Sequence, residues 1–289
     1  MTTISTEPAT AFPEKLTPSD PAGEMVPLFS GPVHVVSEGR KDAPAFLLLH
    51  GAPGSTRDFR YLGPAMVEAG LRAIRVDLPG FGKTPRSTWP SLDAVGRSGL
   101  IATLASALGL SDFGIVGHSA GGPTALVTAA LFPKQVRLLG LINSVGVRRH
   151  RGIRHPQALA WPLAPAMKNP MFASAVTPWI HAGYRKFGFK NVESFGPERL
   201  MLHAELVAKL DFRLHRYAAR QVECPVLVAS AADDPLMEDE IAFSLVRAFS
   251  PSLPVQHLHF QEGGHMLQKN RARRLARHLS QMQREINAA

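Results

Sequence analysis

The sequence predicts an α/β fold in which helices cover a mostly parallel β-sheet. Short apolar runs typical of buried strands alternate with helix-like segments, and parallel strands need such crossover connections. The runs occupy residues 33–36, 45–49, 72–76, 113–116, 138–142, 226–229 and 255–260. With 289 residues and 45% hydrophobic content, the chain is long enough to bury one large core.

The first 24 residues are rich in Pro, Thr and Ser, and they precede the first apolar run. This composition predicts a loosely ordered N-terminal arm over residues 1–24, lying along the core. The arm lacks a charged stretch followed by an apolar one, so no classical secretory signal is expected.

The strand–helix alternation is interrupted between residues 145 and 222. Six prolines divide this segment, and apolar or aromatic residues lie between them. The prolines are Pro156, Pro162, Pro165, Pro170, Pro178 and Pro197, and the large apolar residues include Trp161, Met167, Met171, Phe172, Trp179 and Tyr184. We predict a helical cap, or lid, over residues 145–222, inserted into a core of residues 25–144 and 223–289.

The hexapeptide GHSAGG at residues 117–122 lies between a strand-like run and an Ala/Leu/Val segment of helical character. Glycines on both sides of a serine let a strand and the following helix approach closely, and the tight turn exposes the hydroxyl. We therefore predict that Ser119 is a nucleophile. His118 is expected to point away from the serine and to pack.

A serine nucleophile needs a base and an acid that orients this base. His265 follows the run 255–260 and two glycines, and it completes the order Ser, Asp, His along the chain. Asp233 and Asp234 compete for the role of the acid. Pro235 fixes the turn directly after Asp234, which favours Asp234, and the unused aspartate could cap the next helix.

An oxyanion hole needs preorganised backbone donors. The run 45–49 leads into the loop HGAPGS at residues 50–55. The amides of Ala52, in this loop, and Ala120, directly after the serine, are the expected donors.

Five ordered motifs resemble those of the α/β-hydrolase superfamily, over about residues 30–289. They are HGAPGS (50–55), DLPGFGKT (77–84), GHSAGG (117–122), the Asp233-Asp234 turn and GGH (263–265). The resemblance implies an eight-stranded sheet with an inserted cap. In that family the acid follows Gly-x-x, which here corresponds to Asp234, with Ala231 in place of the glycine.

The resemblance and the residues together favour a serine hydrolase that cleaves carboxylic esters, with a small apolar substrate. Carbon–carbon bond hydrolysis, lactone or amide cleavage and cofactor-free perhydrolysis use the same triad and remain alternatives. A ligand-binding protein without catalysis is a further alternative. Related epoxide hydrolases and haloalkane dehalogenases use an Asp nucleophile, so Ser119 argues against those reactions.

The formal net charge is +9, with dense basic clusters at residues 148–154 and 271–277. Nucleic acid or an anionic membrane could bind such clusters, but they lack an aromatic platform, so solvated helix faces are favoured.

The segment 80–84 imitates the end of a phosphate loop, but Asp77 occupies the first glycine position.

No cofactor or metal is expected, because the sequence contains no dinucleotide-binding GxGxxG, HExxH or paired-Cys motif. The single Cys224 cannot form an internal disulfide, and its position before a strand predicts a packing role. No apolar run is long enough to span a membrane. A cytoplasmic location is expected, while the oligomeric state stays open.

Overall fold

The computed structural model describes residues 2–7, 16–88, 93–153, 163, 165–186 and 192–288. The strands within these ranges are β1 (Thr2–Glu7), β2 (Glu24–Val26), β3 (Val33–Glu38), β4 (Ala45–Leu49), β5 (Arg72–Val76), β6 (Phe113–His118), β7 (Val136–Ile142), β8 (Val226–Ala231) and β9 (Val255–Phe260). The α-helices within them are α1 (Leu62–Glu68), α2 (Ala94–Ala107), α3 (Gly122–Leu131), α4 (Pro170–Lys186), α5 (Pro197–Ala208), α6 (Phe212–Gln221), α7 (Asp239–Val246), α8 (Leu267–Asn270) and α9 (Ala272–Ala288).

The strands form one sheet in the order β1-β9-β8-β7-β6-β4-β5-β3-β2. Every described pairing is parallel except the two that β3 makes with β2 and β5. This confirms the predicted α/β fold with a mostly parallel sheet. All seven predicted strand runs lie within β3–β9.

Within the described residues the sheet has nine strands instead of the expected eight, because the N-terminal arm contributes one. Residues Thr2–Glu7 pair in parallel with Val255–Phe260, so β1 covers the edge that β9 would otherwise expose. The expectation of a loosely ordered arm is therefore wrong for these residues. Thr and Ile favour extended backbone, and the unpaired edge of β9 supplies the hydrogen bonds.

The part of the arm nearest to the core is fastened to it by backbone and side-chain contacts. The amide of Ser19 donates to the carbonyl of Arg60 at 2.8 Å. The buried guanidinium of Arg75 donates to the carbonyl of Ser19 and pairs with Glu38. The arm therefore supplies an acceptor for a cation that is shielded from solvent.

Helices cover both faces of the sheet, and β4 shows how one strand serves both. Phe46 and Leu48 pack on the side of α1 and α9, whereas Leu47 and Leu49 pack on the side of α2 and α3. Successive side chains of a strand point to opposite faces, so a strand with helices on both sides is apolar throughout. All five residues of β4 are accordingly buried.

Residues 145–222 lie between β7 and β8, and we call this segment the 145–222 insertion. Its helix α6 packs on α3 of the core. Leu202 of helix α5 lies next to Gly80. Val207, near the other end of α5, belongs to the same buried cluster as Leu236. Helix α4 packs on α5 as an outer layer. Pro156, Trp161 and Pro162 of this segment lie outside the described residues.

No helix in the described part of the chain is long and apolar enough to cross a bilayer.

Several histidines are buried in the core in their neutral form. Burial lowers the pKa of His118 to about 3, and those of His150, His215 and His257 to about 4, from an ordinary value of 6.5. Between these values and pH 6.5 the unfolded chain binds more protons than the folded chain. These four imidazoles therefore lower the free energy of unfolding as the pH falls through this window. Asp58, whose pKa burial raises to about 7, acts in the opposite direction but is a single group.

We expect the Tm to drop by at least about 5 °C between pH 6.5 and about pH 5, where most carboxylates remain ionised. Circular dichroism melts at several pH values measure this. A His257→Gln variant should show a smaller drop because one buried imidazole is removed. A Tm that is flat over this range would contradict the burial of neutral imidazoles.

Candidate active site

Ser119 lies at a sharp turn between β6 and α3, in the left-handed region of backbone conformation with φ of 51°. A Cβ at Gly117 would approach Gly122 Cα to 2.6 Å, and one at Gly121 would approach the Leu49 carbonyl oxygen to 2.3 Å. Only glycine fits at these two positions, because real Cβ atoms do not approach other atoms so closely. The sequence GHSAGG therefore folds into the predicted strand–turn–helix elbow.

A continuous hydrogen-bonded chain connects three of the predicted site residues. Ser119 Oγ donates to His265 Nε2 at 3.0 Å, and His265 Nδ1 donates to Asp234 Oδ2 at 2.8 Å. The Asp234 side chain is fully buried, and that of His265 is 10% exposed. The three side chains come from the loops after β6, β8 and β9. Along the chain, His265 is 31 residues from Asp234 and 146 residues from Ser119.

The two adjacent aspartates have different partners. Asp234 Oδ1 accepts from the amides of Leu236 at 2.8 Å and Met237 at 3.1 Å, which leaves Oδ2 for His265. Asp233 instead accepts from the amides of Gly263 and Gly264, on the loop that carries His265. Asp233 does not cap α7, whose N-cap residue is Glu238. It ties the loop after β8 to the loop after β9.

Two buried side chains that were not predicted as site residues hold the backbone of His265. His118 Nε2 donates to the His265 carbonyl at 2.9 Å, and Asn143 Nδ2 donates to the carbonyls of Gly264 at 2.8 Å and His265 at 3.1 Å. Asn143 Oδ1 also accepts from the amide of Ala231. His118 thus points away from the serine hydroxyl, as expected, but it contacts the histidine loop directly. No motif in the sequence marks Asn143.

The peptide between Gly51 and Ala52 is held in one orientation beside the serine. The Gly51 carbonyl accepts from His50 Nδ1 at 2.6 Å and from the amide of Gly54 at 2.8 Å. His50 Nε2 accepts from the amide of Leu78, so this imidazole is neutral, with its proton on Nδ1. In a trans peptide the N–H points opposite to the C=O. The Ala52 amide is therefore aimed away from His50.

Neither the Ala52 amide nor the Ala120 amide has a hydrogen-bond partner within the described ranges. The loop is close to the serine, since a Cβ at Gly51 would be 3.4 Å from Ser119 Oγ. Two free donors beside a hydroxyl are the arrangement that an oxyanion hole requires.

Asp77 joins the loop 50–59 to the loop 77–84. Its carboxylate accepts from the Thr56 amide at 2.6 Å, the Lys83 amide at 2.9 Å and His34 Nδ1 at 2.8 Å. The segment 80–84, which resembles the end of a phosphate loop in sequence, therefore folds around the Asp77 carboxylate. A negative charge at that position repels a phosphate.

Asp58 adds a second carboxyl group near His265. Burial raises the pKa of Asp58 to about 7, and the charge of Arg60 opposes this shift. The sequence offers no signal for this property, because it depends on how the loop covers the side chain. Within the described residues, no cluster of three or more His, Cys, Asp or Glu side chains could hold a metal ion.

The comparison with protein families matches residues 33–273 to a model described as an α/β hydrolase of unknown function, DUF1057. The match spans most of the chain, including the turn with Ser119 and the loop with His265. The chain belongs to this α/β-hydrolase family. The expected superfamily and the hydrolase fold are thereby confirmed.

Among curated proteins, the chain is 33% identical to bifunctional epoxide hydrolase 2 of Sus scrofa over 115 residues, 39% of this chain and 20% of that protein. It is 30% identical to the sn-1-specific diacylglycerol lipase ABHD11 of Mus musculus over 172 residues, 55% of this chain and 54% of that protein. The matched region is about a fifth of the length of the pig protein and about half of the length of the mouse protein.

Among solved structures, Cfl2 of Burkholderia cenocepacia superposes with a TM-score of 0.70 at 19% identity. The match covers 94% of this chain and 98% of that one. At this level of identity the likeness concerns the fold.

The tight packing of the elbow predicts that Gly121→Ala destabilises the protein by about 2–3 kcal/mol, because the new methyl group overlaps the Leu49 carbonyl. Thermal melts measure the loss. Gly183→Ala is the matched control: its Cβ would meet nothing within 4 Å, and alanine is the better helix former. Equal melting temperatures for the two variants would show that the elbow tolerates a side chain.

Proposed function

We propose that this protein is a serine hydrolase that cleaves carboxylic esters through an acyl-enzyme on Ser119. The observation that supports the proposal is the hydrogen-bonded chain from Ser119 Oγ through His265 to Asp234, beside two unpaired backbone amides. Nucleophile, base and orienting acid are within hydrogen-bond distance, which is the geometry that acyl transfer needs.

In the first half of the reaction, Ser119 Oγ attacks the ester carbonyl while His265 Nε2 takes the hydroxyl proton. The carbonyl oxygen becomes an oxyanion, which the amides of Ala52 and Ala120 would bind. His265 then gives the proton to the alkoxy oxygen, the carbon–oxygen bond breaks and the alcohol leaves. Ser119 now carries the acyl group.

In the second half, a water molecule attacks the acyl-enzyme and His265 Nε2 takes its proton. Collapse of the second oxyanion returns the proton to Ser119 Oγ and releases the acid. Asp234 keeps the proton of the neutral imidazole on Nδ1 and stabilises the imidazolium that forms in each half. The amides of Leu236 and Met237 fix the other carboxylate oxygen, so Asp234 has one orientation toward His265.

We further propose that the 145–222 insertion forms a cap over this site with its helices α4 and α5, whereas α6 packs on the core. Helix α5 contacts the loop with Gly80 on one side and the Leu236 region, next to Asp234, on the other. Its inward residues Leu202, Leu206 and Val207 are apolar and buried. A roof of this kind excludes water and favours an apolar acyl or alcohol group.

The names of the two relatives differ in what they suggest about the reaction. The mouse relative is named a diacylglycerol lipase, and diacylglycerol is a carboxylic ester. The pig relative is named an epoxide hydrolase. The side chain at the elbow of this chain is a serine, whose attack on an acyl carbon leads to an ester intermediate that water can resolve.

Hydrolysis of p-nitrophenyl esters, from acetate to long acyl chains, tests the proposal. The wild type should release p-nitrophenol, and Ser119→Ala should lower kcat by at least about a thousandfold, since the nucleophile is lost. The preferred chain length would measure the acyl pocket. If the wild type turned over no ester, or Ser119→Ala kept its activity, ester cleavage through Ser119 would be refuted.

The two aspartates allow a sharper test. Asp234→Asn should lower kcat by about 10⁴ with little change in KM, because the imidazole loses the acceptor that fixes its tautomer. Asp233→Asn is the matched control, and it should cost less than about tenfold because its partners are backbone amides. The reverse ranking would assign the role of the acid to Asp233.

A further inference from the structure

Helix α4 has two apolar faces, and the described residues cover only one of them. Ala173, Val176, Ile180 and Tyr184 point inward and pack with Leu200 of α5 and its neighbours. The outer side carries Met171, Phe172, Ala175, Trp179 and Ala182, all of which are exposed. A helix normally buries its large apolar side chains against another part of the protein.

The outer face of α4 exposes two large side chains almost completely and a third in part. Met171 is 85% exposed, Trp179 80% and Phe172 41%. Met171, Ala175, Trp179 and Ala182 follow one another at intervals of three or four residues, which places them on one stripe of the helix. Helix α4 contains no acidic residue, and its two basic residues, Arg185 and Lys186, lie at its last turn.

The positive charge of the protein is concentrated in the same segment. Residues 145–222 contain 13 Lys and Arg against four Asp and Glu, whereas the rest of the chain contains 19 of each sign. The entire net charge of +9 therefore belongs to the insertion. Lys168, just before α4, and Arg185, at its end, are exposed, and Arg185 pairs with Glu193.

We propose that the outer face of α4 docks on the surface of an anionic phospholipid bilayer. Trp and Met side chains enter the boundary between headgroups and acyl chains, while Lys168 and Arg185 at the two ends of α4, together with the net positive charge of the insertion, attract the negative headgroups. Its 17 residues extend about 26 Å, less than the roughly 30 Å hydrocarbon core, so α4 lies in the plane of the interface. The proposal does not depend on ester hydrolysis.

Charge and apolar contact favour an anionic lipid surface over two other partners, a second copy of the chain and a nucleic acid. A second copy placed face to face on α4 would bring two segments of net charge +9 together, which repel each other. A nucleic acid would satisfy the basic residues, but docking on phosphates leaves the outer Met and Trp side chains without a partner. An anionic lipid surface satisfies both the charge and the apolar stripe.

The test is co-sedimentation of the full chain with vesicles of phosphatidylglycerol and phosphatidylcholine in equal parts, compared with pure phosphatidylcholine. The protein should bind the anionic vesicles, and binding should weaken as salt is added. Met171→Ser with Trp179→Ser should lower the partition coefficient by about tenfold or more, through lost apolar contact. Lys168→Glu should lower it severalfold.

Two control variants carry matched changes outside the insertion. Phe29→Ser removes a fully exposed aromatic side chain, and Arg277→Glu reverses an exposed charge on α9; both should bind like the wild type. Thermal melts check folding, which the exposed substitutions should leave unchanged.

Absence of binding to anionic vesicles would overturn the proposal, and so would equal binding by all variants. A dimer in size-exclusion chromatography that dissociates in the Met171/Trp179 variant would assign the face to a second copy instead.

Discussion

The parallel direction of the central strands is the constraint on which the rest of the structure depends. Strands β4, β6, β7, β8 and β9 run side by side, so the loops that follow them leave from one edge of the sheet. The register pairs Leu49 with Gly117 and Ala231 with Phe260. Ser119, Asp234 and His265, which are far apart along the chain, therefore lie close together at this edge.

Polar contacts then fix the loops relative to one another. Asp233, Asn143 and His118 hold the backbone of residues 263–265, and Asp77 holds the loop that carries Ala52. Each of these groups binds main-chain atoms, whose positions depend little on side-chain rotamers. The geometry proposed for acyl transfer is therefore built into the backbone scaffold before any substrate binds.

The 145–222 insertion uses separate helices for its inner and outer surfaces. Helix α5 faces the sheet edge and is buried, whereas α4 covers α5 and presents apolar side chains outward. Because the remainder of the chain has no net charge, attraction to an anionic surface would also orient the molecule with the insertion toward it.

The sequence alone was sufficient for the α/β class and the seven apolar strands, and it predicted that Ser119, His265 and one of two aspartates, with Asp234 favoured, lie together. Periodicity and glycine sterics act over a few residues, and they leave a local signature. The position of β1 on the edge of β9 required the tertiary structure, since pairing between residues 2–7 and 255–260 has no local signal. The same holds for Asn143, the raised pKa of Asp58 and the uncovered face of α4, because burial and contact arise only when distant segments pack.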